Sequence, residues 1–128
     1  MENMAATIQR ICRDLDLPSG DSYTQDWIQE LPEEYRDVKS FSRYLAAYST
    51  PGYGDAEKRL LMELMFDVIN ELLGSDEAVG RQAWASLLDP LRKDRELHSE
   101  LIDYWALQGE PLEDAFRLTP LVRALSEG

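Results

Sequence analysis

With 128 residues, 44% of them apolar and 30% charged, the chain is long enough to bury a core and has neither a disordered nor a membrane-spanning composition. Its 25 acidic against 13 basic residues give a formal charge of −12, which sets the surface against nucleic acid and anionic membranes and in favour of basic proteins. The single cysteine, Cys12, excludes an internal disulfide, and no basic start with an apolar run marks a secretory signal, so the cytoplasm is the expected location.

In chain order, Met4, Ile8, Ile11, Cys12 and Leu15 recur at helical spacing and predict a first helix over 3–16. Leu17-Pro18-Ser19-Gly20 ends it. Ser22 with Gln25 three residues later resembles a capping box for a short helix carrying Trp27, Ile28 and Leu31. Pro32 opens a turn through Glu33-Glu34-Tyr35. Asp37 is placed to cap a helix with Val38, Phe41, Leu45 and Tyr48 on one stripe, ending before Pro51. Asp55 is expected to cap the next, over 56–73. There only Arg59, Glu63, Asp67, Asn70 and Glu71 stay polar, the mark of a central helix.

Gly74 reads as its stop. Ser75-Asp76-Glu77 starts a fifth helix to Leu88, burying Val79, Ala83, Trp84 and Leu87. Asp89-Pro90 reads as a new cap and first residue, for a helix carrying Leu91, Leu97, Leu101, Tyr104 and Trp105 and closed by Gly109. Glu110-Pro111 begins a short helix with Leu112, Ala115 and Phe116. Thr119-Pro120 begins a last one with Leu121, Val122 and Leu125. Nothing alternates as a strand does. The expected fold is all-α, a single-domain bundle of six to eight helices over residues 1–128, without repeats.

Sites for catalysis or ligands are tested against the chemistry they would need. Gly52-Tyr53-Gly54 precedes a helix, but a dinucleotide loop needs a strand before it, and Asp55 and Glu57 would repel a phosphate. Counted from Asp14, a calcium loop has Pro18, Ser19 and Gln25 where an acid, a glycine and a glutamate belong. His98 is the only histidine and is expected partly exposed on its helix. With one cysteine it completes no zinc-deaminase site, and there is no G-x-S-x-G elbow. Glu63 with Asp67, and Glu96, Glu100 and Asp103, sit at helical spacing and read as solvated faces. No catalytic residue, metal or cofactor is assigned.

The aromatics are less evenly spread. Tyr23, Trp27, Tyr35, Phe41, Tyr44, Tyr48 and Tyr53 fall within 31 residues, which hold five of the six tyrosines. Phe41 and Tyr48 belong to the core stripe. The candidate partner-binding set is Glu30, Glu33, Glu34, Tyr35, Asp37, Tyr44, Tyr53 and Asp55, with Tyr53 and Tyr35 the rings expected in solvent. Tyrosines give contact area at low entropy cost, and carboxylates beside them suit lysine or arginine on a partner.

These features lead to the expectation of a non-enzymatic acidic protein that holds or neutralises a basic protein partner and binds neither nucleic acid nor membrane. In type, the profile resembles a bacterial immunity protein, antitoxin or small inhibitor covering a toxin's basic active-site cleft, although no motif defines a family. The alternatives are a DNA mimic that blocks a nucleic-acid-binding protein, and a helical-bundle enzyme or small-ligand binder using Glu63 or Asp67. A structural subunit packing its near-apolar helix against another chain leaves homo-oligomers open.

Overall fold

A computed structural model describes residues 4–18 and 27–127. Among them it has seven α-helices and no strand, so the chain is all-α. The helices are α1 (Met4–Leu15), α2 (Trp27–Glu30), α3 (Val38–Tyr48), α4 (Asp55–Ser75), α5 (Glu77–Lys93), α6 (Ser99–Ala106) and α7 (Thr119–Glu127), with 3₁₀ turns at Glu33–Tyr35 and Leu112–Asp114. The chain divides into two compact units, Met1–Val68 and Ile69–Gly128, with the boundary inside α4. The expected Ser22 and Gln25 cap, together with Tyr23, lies outside the described residues.

In the first unit, α1 ends without a glycine. Asp16 takes the left-handed conformation at φ 55°, and the Leu17 amide donates back to the Cys12 carbonyl at 2.9 Å. Aspartate tolerates that backbone better than most residues, and the buried Leu17 supplies the apolar contact that accompanies such an ending. The Arg43 guanidinium donates to the Leu15 carbonyl, placing a cation at the negative end of α1. Burial pushes the Cys12 thiol up to about 11.

Asp37 caps α3 as expected, its side chain accepting from the Ser40 amide at 2.8 Å. That hydrogen bond also lowers its pKa. Phe41, Tyr44 and Tyr48 are buried on α3, but Val38, expected on the core stripe, is 45% exposed. It is the first residue of α3, ahead of the buried residues, which begin at Ser40.

Helix α4 buries Leu60, Leu61, Met62, Leu64, Met65, Phe66, Val68 and Ile69 and leaves Arg59, Glu63 and Glu71 exposed, as its pattern predicts. Its cap differs from the expectation. Gly54 is the capping position and Asp55 the first helical residue. The Gly54 carbonyl accepts from the Lys58 amide at 3.1 Å, and the Gly54 amide donates to Glu57 at 3.3 Å. This is the reach-back half of a capping box, supplied by the acid three residues in.

In the second unit, α4 continues through Gly74 to Ser75, so Gly74 is not its stop. Asp76 caps α5 as expected and accepts from the Val79 amide. Helix α5 then runs past the predicted end at Leu88, carrying Pro90 inside it as far as Lys93. A proline there removes one helical donor. Leu87 and Leu91, both at 0% exposure, extend the buried stripe of Ala83 and Trp84 across that position, and the burial outweighs the lost bond. Leu91 therefore belongs to α5. Glu96 falls in the turns that precede α6 and shares no helix with Glu100 and Asp103.

Helix α6 is closed by Leu107, left-handed at φ 44°, rather than by Gly109. A leucine in that region costs about 1 kcal/mol. The Arg123 guanidinium offsets it by donating to the carbonyls of Ala106 (2.6 Å), Leu107 and Glu110 (2.8 Å), placing a cation at the negative end of α6. The helix expected after Pro111 is only a 3₁₀ turn. Thr119, fully buried at the start of α7, donates its hydroxyl to the Trp105 carbonyl at 2.8 Å.

Candidate functional site

Of the eight candidate partner-binding residues, Glu33, Glu34, Asp37 and Asp55 are exposed and Tyr35 is half-buried. Glu30 ends α2, with its side chain outside the described residues. Tyr44 and Tyr53 do not lie on the surface. Tyr44 is at 0% exposure and donates its hydroxyl to the Tyr35 carbonyl at 2.5 Å.

Tyr53 corrects the expectation most sharply. Thr50-Pro51-Gly52-Tyr53 forms a turn with the Tyr53 amide donating to the Thr50 carbonyl at 3.2 Å and Gly52 at φ 91°. Proline followed by a positive-φ glycine is the type II pattern, and it turns the ring inward. Tyr53 is 8% exposed and donates to Asp14 at 2.6 Å, and the Arg10 guanidinium lies 5.0 Å from its ring centroid. Arg10 also pairs with Glu57 at 2.6 Å. The loop is an internal latch onto α1. With Glu57 already on the Gly54 amide, a carboxylate stands where a phosphate would bind.

Hydrogen bonding from Tyr53 lowers the Asp14 pKa, while burial, then Asp14, raises the Tyr53 hydroxyl to about 12. Burial also raises Tyr44 to about 12. The folded chain therefore holds two protons that the unfolded chain releases near pH 10. Their contribution to stability is intact below pH 10 and is lost as pH rises through 12. Urea unfolding followed across this window will show stability falling less steeply in Tyr44→Phe and Tyr53→Phe than in the wild type. Equal slopes in all three would contradict the buried-hydroxyl assignment.

The 3₁₀ turn and the start of α3 hold Glu33, Glu34, Tyr35, Arg36 and Asp37 in sequence. Arg36 turns inward, its side chain only 11% exposed. It donates to the Ile28 carbonyl at 2.6 Å and pairs with Asp67, whose side chain is 17% exposed. The stretch then presents carboxylates outward with Val38 beside them, while Lys39 is the next exposed cation.

Asp67 is thus engaged by Arg36. Glu63 is exposed, and its pKa is raised by desolvation, then by Asp67. Water reaches that carboxyl, so it lacks the enclosed setting of a catalytic acid. His98, expected partly exposed on its helix, is 1% exposed. It sits in the turn before α6, its amide within hydrogen-bonding distance of the Asp94 and Arg95 carbonyls. Among the described residues no group of three histidine, cysteine or acidic side chains is placed to hold a metal ion, and no helix is long and apolar enough to cross a membrane. No protein-family model, curated protein or solved structure matches this chain.

Proposed function

We propose that this chain is a non-enzymatic binding protein that holds a basic protein partner through the exposed carboxylates of its first unit. The observation that carries this reading is the inward turn of Arg36 onto Asp67, which takes the one cation within residues 33–38 off the surface and leaves Glu33, Glu34 and Asp37 outward. Val38, at 45% exposure, adds an apolar contact beside them. Carboxylates around a small apolar centre suit lysine and arginine on a partner and speed its capture. An inhibitor of the immunity or antitoxin type, lying over a toxin's basic cleft, fits this chemistry with no catalytic group of its own. Tyr44 and Tyr53 are buried and serve the fold, so neither belongs to the proposed contact.

The test starts with the chain as bait in its native lysate. The double variant Glu33→Lys/Glu34→Lys will bind the retained protein at least about tenfold more weakly than the wild type does, a loss of about 1.4 kcal/mol. Unchanged affinity would remove this surface from the proposal. Competition between DNA and the chain for one site on the retained protein would mark a DNA mimic instead.

A further inference from the structure

Counted by thirds the charge looks even, but one stretch does not follow that pattern. Residues 96–116 hold six acids, Glu96, Glu100, Asp103, Glu110, Glu113 and Asp114, and no lysine or arginine. The same stretch contains two of the three large apolar side chains exposed in the described structure, Tyr104 at 61% and Leu112 at 56%. On α6, Glu100, Asp103 and Tyr104 are spaced i, i+3 and i+4 and share one face. Of the two arginines that follow, Arg117 stays exposed and Arg123 is drawn off. Arg117 lies against Gly74, within 3.0 Å of where a Cβ would stand there, and Arg123 is taken up by three backbone carbonyls.

Tyr104 is held in place although it is exposed. Its ring centroid lies 6.0 Å from that of Trp105 in an edge-on arrangement and 5.9 Å from that of Phe116, and Trp105 and Phe116 approach to 4.5 Å. The contacts with Trp105 and Phe116 hold the exposed Tyr104 ring in place on the helix face that also carries Glu100 and Asp103. Such a platform takes a cation over the ring while the carboxylates accept its N–H groups. A second copy of this chain would bring a charge of −12 against the same acids, so charge complementarity selects a basic partner instead.

We infer that the Tyr104 face of α6, with Glu100 and Asp103, is a docking surface of the second unit for a lysine- or arginine-bearing protein segment. It shares no residue with the first-unit set Glu33, Glu34 and Asp37 and does not depend on them.

The probe is a synthetic helical peptide of lysine and leucine, titrated into the isotopically labelled chain and followed by amide NMR shifts. Saturable shifts are expected on residues 99–106 and 112–117. The double variant Glu100→Lys/Asp103→Lys, which leaves the ring packing untouched, should weaken the peptide at least about tenfold, and Tyr104→Ser should weaken it severalfold. The charge-matched Glu33→Lys/Glu34→Lys variant should weaken it less than about threefold. Equal losses from the two charge reversals would mean that net charge alone binds the peptide, and would overturn the assignment. Shifts confined to other residues, or a folded Tyr104→Ser with unchanged affinity, would overturn it too. The retained native partner tests the first-unit surface separately, so either surface can fail while the other stands.

Discussion

Asp67→Ala will lower the unfolding free energy by about 3 kcal/mol, near the lower end for breaking a largely buried ion pair. The substitution removes the Asp67 carboxylate from the Arg36 guanidinium, whose side chain is 11% exposed and which also donates to the Ile28 carbonyl. The cost comes chiefly from leaving a largely buried cation less well compensated and little from the lost attraction. Arg36→Met/Asp67→Leu should accordingly recover most of the loss. At this chain length the single variant should melt about 10 °C lower. Urea titrations of both variants check the account. A loss below about 0.5 kcal/mol in Asp67→Ala would put the pair in the class of solvent-screened surface bridges. In that case Arg36 would no longer be firmly withdrawn from the acidic stretch.

The second large effect is expected at Gly80, in the first turns of α5. A Cβ there would lie 2.7 Å from Leu73 Cδ2, 2.8 Å from its Cγ and 2.8 Å from its backbone nitrogen. The leucine side chain can rotate away, but the backbone of α4 cannot. Alanine favours a helix over glycine by about 1 kcal/mol, so an unobstructed Gly80→Ala would stabilise the protein. The clash should reverse that sign and leave a net loss of about 2 kcal/mol, in the range of overpacked sites. Thermal unfolding decides it. A melting point at or above that of the wild type would mean that α4 and α5 separate here without strain.

Much of the helical order was legible because it is local. Asp37 and Asp76 cap their helices by side-chain hydrogen bonds to amides three residues on, and the polar stripe of α4 follows from its own period. The misreadings involve distant partners or tertiary burial. Tyr53 looks like a loop ring until Asp14, 39 residues earlier, and Arg10 draw it in. Pro90 looks like a helix start until Leu87 and Leu91 are seen buried on either side of it. The outward charge of residues 33–37 depends on Asp67, 31 residues after Arg36. The α6 surface was hidden differently. Arg92, Lys93, Arg95, Arg117 and Arg123 flank the acid-only stretch and balance it in any broad count.

The central claim is that this chain captures a basic protein by its carboxylates. The most direct test is the association rate with the protein it retains, measured by stopped flow at rising ionic strength. The account predicts a rate constant that falls at least about tenfold between ~0.01 and ~0.5 M salt, with a much smaller change in dissociation. A rate constant that stays flat across that range would contradict it.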